Sequence, residues 1–156
     1  MLSSSLRTRA LHFVLGCLLA LVPIAPWVAR AEDHPPPSLS PEERVAIRKV
    51  VESQLAAFRR DDGRTAFSFA APEIQSQFKT PENFMRMVRQ GYRVLYRPLQ
   101  IHFQPALKKQ GRIVQPLLAT AEDGRTVMAL YLMQRQPGGE WRIAGVALAP
   151  TGQKGA

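Results

Sequence analysis

The sequence predicts an α+β domain in which three N-terminal helices pack on one face of a curved, four-stranded antiparallel sheet. Two observations carry that expectation. Up to about Tyr96 the apolar residues recur at helical spacing, and beyond Pro98 they alternate at strand spacing. Helices gathered ahead of strands, rather than interleaved with them, give the order of a layered α+β domain.

The first 31 residues read as a targeting segment. Residues 1–10 carry Arg7 and Arg9 without an acid, and an apolar run follows from Leu11 to Val22. Ala29-Arg30-Ala31 places small residues where a signal peptidase reads. This is the layout of a cleavable export signal, cut after Ala31, and it predicts a periplasmic or secreted protein. Two other readings stay open: an uncleaved anchor over Ala10–Ala29, long enough to span a bilayer, and a lipoprotein signal ending at Cys17. Cleavage removes Arg7, Arg9 and Arg30 but no acid, so the formal charge of +9 falls by three and remains basic. A basic exported domain suits an anionic surface or an acidic partner, and no nucleic acid is expected in that compartment. Cys17 is the only cysteine. Without it the exported domain has no disulfide and must hold together by core burial.

Residues 32–40 contain Pro35, Pro36 and Pro37 and read as a tether. The domain is expected over 41–149, with a flexible tail at 150–156. Its first helix opens at Ser40-Pro41-Glu42-Glu43, where Ser40 is the N-cap and Glu43 completes a capping box. Val45, Ile47, Val50, Val51, Leu55 and Phe58 form its apolar face, and Asp62-Gly63 ends it. A second helical piece covers 64–71, with one more turn from Pro72 to Phe78. The third helix starts from the N-cap Thr80 and continues to about Tyr96, since Pro98 disfavours helix just before it.

The first strand alternates Leu99, Ile101 and Phe103 against Gln100, His102 and Gln104. Two hairpins follow, with strands near 112–121, 125–135 and 141–149 and a two-residue turn at Asp123-Gly124. That turn would set Leu118 opposite Ala129, Val114 opposite Met133 and Leu117 opposite Leu130. The central strand is apolar on both faces: Val127, Ala129, Tyr131 and Met133 on one, Met128, Leu130 and Leu132 on the other. A sheet with one wet face alternates apolar and polar residues, so both faces are expected to be covered. Helices cover one. The other predicts a homodimer, a bound partner or a return of the chain.

The segment from Leu55 to Pro98 resembles the bacterial domain of unknown function 4864 family. The resemblance rests on Gln54–Phe58, Asp61–Ile74, Phe84–Val88 and Gly91–Pro98 and extends more loosely through the strands. More remotely, the layout is similar to the nuclear transport factor 2-like and cystatin-like superfold, a cone whose members include enzymes and binding proteins. That likeness does not choose between the two.

Few residues offer chemistry. Asp61 and Asp62 stand where a turn explains them; either is a candidate for catalysis, and Asp62 also for ligand binding. His102 could act as a general base, because imidazole titrates near neutrality. Tyr92, Tyr96 and Tyr131 could line a pocket for a small apolar ligand. After cleavage two separated histidines, His34 and His102, remain without a cysteine, which argues against an ordinary zinc site, and no cofactor motif is present. Arg86, Arg89, Arg93 and Arg97 fall within one stripe about 80° wide on a continuous helix. They read as a solvated face and as a candidate docking surface for an anionic partner. Three functions remain: a module binding a small ligand or a protein, a cone-fold enzyme of isomerase or hydrolase type using a pocket His or Asp, and a structural subunit acting through a dimer sheet.

Overall fold

The computed structural model describes residues 39–154, with side chains to Thr151. They belong to a compact unit, His34–Ala156. The expected export signal and the tether residues 32–38 lie outside the described residues.

Helix α1 spans Pro41–Arg59. The capping box forms as the sequence predicts: the Glu43 N–H donates to Ser40 Oγ at 3.2 Å, and the Ser40 N–H donates to Glu43 Oε2 at 3.0 Å. Its buried face carries Ile47, Val51, Leu55 and Phe58. Val45, expected on that face, is exposed. Leu39 and Ser40, expected in the tether, belong to the folded domain: Leu39 is buried in the core and Ser40 is engaged as a cap.

At the end of α1 the chain makes a Schellman turn. The Asp61 N–H donates to Phe58 O at 3.1 Å and the Asp62 N–H to Ala57 O at 3.0 Å. Asp61 occupies the left-handed position, φ +56°, that glycine usually takes. Asp62 then caps α2, Gly63–Ser68, by accepting from the Thr65 N–H at 3.0 Å. Helices α3, Pro72–Phe78, and α4, Pro81–Gly91, each begin on a proline. Phe58, Phe67 and Phe78 surround Phe84 with ring centroids 6.2, 5.3 and 5.8 Å from it.

The third predicted helix is not continuous. It breaks at Tyr92, φ −128° and ψ 38°, into α4 and a four-residue α5, Arg93–Tyr96. Gly91 weakens the helix there, and the Tyr92 hydroxyl is held by Val146 O at 2.9 Å. The helical layer therefore has five segments rather than three.

The sheet has five strands, not four: β1 (Gln100–Phe103), β2 (Leu107–Lys109), β3 (Arg112–Thr120), β4 (Arg125–Arg135) and β5 (Trp141–Lys154). All pairings are antiparallel in the order β1-β3-β4-β5, with β2 also paired to β3 beside β1. The short β2 follows the break at Gln104–Ala106 and turns back through Gln110 and Gly111, both at positive φ. Pro116 explains the break. Proline has no N–H for a ladder, and it lies on β3 opposite the gap, where its carbonyl accepts from the Gln104 N–H at 3.0 Å. Buried Gln115 reinforces the gap by donating to Gln104 O at 2.6 Å. Leu99 stays outside β1 and is exposed. Residues 150–154, expected as a tail, continue β5.

The register of the first hairpin is one residue from the expected one. Leu117 pairs with Ala129, Leu118 with Met128 and Val114 with Leu132. A two-residue turn at Asp123-Gly124 needs positive φ at Asp123, and in the type I′ form that Asp-Gly favours at Gly124 as well. Only Gly124 has it, at +79°. Asp123 instead accepts from the Arg125 N–H at 3.0 Å and Arg125 Nε at 2.7 Å, leaving a three-residue loop. A one-residue shift exchanges the faces of β3. Leu117 and Ala119, not Val114 and Leu118, meet the helices, beside Ala129, Tyr131 and Met133 of β4.

Gly63 sits at a close contact between α2 and α4. A Cβ there would stand 2.7 Å from Cγ of the buried Met85. Gly63→Ala should destabilise the domain by about 1–3 kcal/mol despite alanine's better helix propensity, measured by urea denaturation. An unchanged midpoint would show that α2 and α4 are not packed this closely.

Candidate functional site

A cavity of about 360 Å³ lies between the helices and the inner face of the sheet. Phe58, Phe84, Val88 and Leu95 form its helical wall, with Ile74 and Phe78 from α3. Tyr131 and Ile143 come from the sheet, and Ala144, Gly145 and Val146 from the bulged part of β5. The chain at Phe69–Ala71 closes one side by pairing with β5: the Ala71 N–H donates to Ile143 O at 2.8 Å, and the Ile143 N–H to Phe69 O at 2.9 Å. None of the lining residues is charged, and none is a histidine or cysteine.

Two of the predicted tyrosines meet here. Tyr92 lines the cavity and anchors its own position through Val146 O. Tyr131 lines it from β4, is wholly buried, and leaves its hydroxyl without a hydrogen-bond partner among the described residues. Burial, with Tyr92 adding a smaller effect, pushes the Tyr131 phenol well above its ordinary pKa. The group is therefore a neutral donor at any physiological pH. An unpaired buried hydroxyl is costly, which makes it the most unusual polar atom of the core. Gln54, missed in the sequence, also lines the cavity; its side-chain N–H is taken by Ala66 O at 3.1 Å. Its place on the buried face of α1, four residues before Phe58, was the available signal.

The other candidates go elsewhere. His102 is exposed on β1, opposite Leu118 on the outer face of the sheet. Asp62 is used as a helix cap. Tyr96 points to a polar cluster around Asp61. The Asp61 carboxylate accepts from the Tyr96 hydroxyl, from Arg97 Nη2 at 2.9 Å and from Arg89 Nη2 at 3.4 Å. Both guanidinium groups also lie over the Tyr96 ring, 5.7 Å for Arg89 and 5.2 Å for Arg97. The four arginines are thus not one free stripe. Arg89 and Arg97 tie α4 and α5 to the end of α1, while Arg86 bonds to Asn83 Oδ1 at 3.2 Å. Arg93 lines an open groove of about 540 Å³ with Arg97, Arg125, Glu122 and Asp123. Among the described residues, no group of three or more His, Cys, Asp or Glu is placed to hold a metal ion.

Fold and cavity together define an α+β domain with a neutral, aromatic-walled chamber between its two layers. The chain belongs to the family described as a domain of unknown function, DUF4864, whose model matches residues 40–156. No curated protein and no solved structure matches the chain.

The Asp61 cluster has a measurable signature. The hydrogen bond from Tyr96, above all, and the Arg97 and Arg89 guanidinium groups hold its carboxyl below the usual carboxylate range, against a contribution from desolvation. A carboxylate with a depressed folded pKa stabilises above its unfolded pKa, and that stability is lost as pH falls through the folded value. Asp61→Asn should therefore lower the melting temperature at neutral pH and flatten its decline below about pH 4. Parallel melting curves for the two proteins would remove Asp61 from this role. At neutral pH, Arg89→Glu should destabilise, by facing Asp61 with a second carboxylate, whereas Arg93→Glu should leave the melting temperature unchanged.

Proposed function

We propose that this domain is a binding module for a small, neutral, largely apolar molecule carrying one hydrogen-bond acceptor. The unpaired Tyr131 hydroxyl, buried in the wall of an uncharged and mostly apolar cavity, is the observation that carries the reading. A cavity of about 360 Å³ is within the range of small-molecule sites. With no lysine, arginine or histidine on its walls, burying an ionised ligand there would be unfavourable. A carbonyl or ether oxygen would accept from Tyr131 once the ring turns its hydroxyl, which has no exposed surface without ligand, toward the cavity, while the ring and aliphatic walls cover the rest of the molecule. The same lining supplies no acid, imidazole or thiol to act as base or nucleophile, so binding is favoured over an enzyme using a pocket His or Asp.

Tyr131→Phe separates the two roles of the hydroxyl. It should stabilise the ligand-free protein by about 1 kcal/mol, because an unpaired buried donor is removed. That would raise its melting temperature by about 4 °C. The same change should weaken ligand binding about fivefold. Native mass spectrometry of residues 34–156 identifies a co-purified molecule, and thermal shift with neutral carbonyl compounds tests the class. Met87→Trp, which fills the cavity from its wall, should abolish both signals. If nothing co-purifies, no compound shifts the wild type and Tyr131→Phe destabilises, the ligand reading fails.

A further inference from the structure

The outer face of the sheet carries a second feature, independent of the cavity. Val114, Pro116, Leu118, Met128, Leu130 and Leu132 belong to the face turned away from the helices. Leu107 on β2 and Leu130 on β4 are 42% and 37% exposed. A groove of about 950 Å³ lies between them, with Pro116 and Met128 on its floor side and Arg44 and Lys108 also on its wall. Arg44 is held there by Leu39 O and Ala106 O, each at 3.1 Å. Its charge is partly spent on these carbonyls.

Beside this groove the β2–β3 hairpin opposes two like charges. Lys109 pairs directly with Arg112, in the same alternation as Leu107 with Val114, so both cations share the outer face with those apolar side chains. Like charges directly across an antiparallel pair destabilise it. Neither residue forms an ion pair among the described residues. The chain contains no acid from Asn83 to Ala121. An unfavourable cross-strand pair next to exposed leucines fits a surface completed by an anion.

We propose that the β2–β3 hairpin and the adjoining groove dock on an anionic phospholipid bilayer surface. Lys109 and Arg112 meet the headgroups, and Leu107 and Leu130 enter the interfacial layer. Cations interleaved with exposed apolar side chains are what such an interface binds. No helix among the described residues is long and apolar enough to cross a membrane; the contact proposed here is a peripheral one, made by side chains of the hairpin and groove. A second copy of the chain fits this patch less well. A two-fold contact centred on the groove brings the same patch together twice, setting the two sets of cations against each other. The anionic docking expected of the α4–α5 arginines thereby moves to the hairpin, because Asp61 already engages Arg89 and Arg97.

Vesicle co-sedimentation of residues 34–156 tests the proposal. Binding is expected to vesicles of phosphatidylcholine with about one-third phosphatidylglycerol and not to phosphatidylcholine alone. It should fall at least about tenfold on moving to about 0.5 M salt. Lys109→Glu places an acid opposite Arg112, so it should raise the melting temperature while weakening vesicle binding about tenfold or more. A merely structural lysine would not part the two readouts in that way. Leu107→Ser should weaken binding at unchanged charge, and Arg86→Glu, exposed on α4, should leave it intact. Equal binding to neutral vesicles, or none to anionic ones, overturns the proposal. So does a dimer in light scattering that Leu130→Asp dissociates, since a second copy would then cover the face.

Discussion

The hydrogen bond from the Tyr92 hydroxyl to Val146 O joins the two layers of the domain at the place where both are irregular. On one side, the helix that began at Pro81 stops, and α5 restarts in a new direction. On the other, β5 carries a bulge between its pairings with Leu132 and Met133. A straight helix and a regular strand would not bring these groups together. Because they meet, Leu95 is buried behind the break, and the layers leave a chamber instead of closing completely. Tyr92 is thus a wall of the cavity and the reason the wall stands where it does.

The Asp61 cluster supports the same arrangement from outside. A non-glycine residue in the left-handed region costs on the order of 1 kcal/mol. Glycine would avoid that cost but would offer nothing to Tyr96, Arg89 and Arg97. The carboxylate ties the end of α1 to both sides of the Tyr92 break, so the helices flanking the break are held from two directions. Asp62 beside it does a different task, capping α2. Two adjacent aspartates that look interchangeable in the sequence are separated by backbone geometry alone.

The elements with local causes were legible in advance. The capping box at Ser40 and Glu43, the proline starts of α3 and α4, and the core-facing alternation Val127–Met133 all follow from neighbours in the chain. What was misread depended on partners far away in sequence. The break at Tyr92 needs Val146, and the gap between β1 and β2 becomes intelligible only once Pro116 is seen opposite it. The register of the β3–β4 hairpin turned on whether Asp123 adopts positive φ or binds Arg125. Each choice is nearly balanced locally, yet the second exchanged the faces of an entire strand. The candidate site was half legible: Tyr92 and Tyr131 converge, while Tyr96, His102 and Asp62 do not. A helical or strand period can say that a tyrosine points inward, but not whether its hydroxyl finds a partner there.

Strand β4 shows why the apolar character of both sheet faces has two causes rather than one. Successive side chains of a strand point to opposite faces, so Tyr131 and Leu130, adjacent in the chain, serve different surfaces. Tyr131 closes the inner chamber and is wholly buried; Leu130 stands at the outer groove and is exposed. The inner face is apolar because it packs against helices, and its one unpaired hydroxyl is a donor without an acceptor. The outer face is apolar beside an open groove, and it shares the β2–β3 hairpin with two cations set against each other. Each face lacks one complementary chemistry, an acceptor inside and an anion outside. Nothing in the fold requires the two to be supplied by the same molecule, since the strand that separates them lets each be satisfied alone.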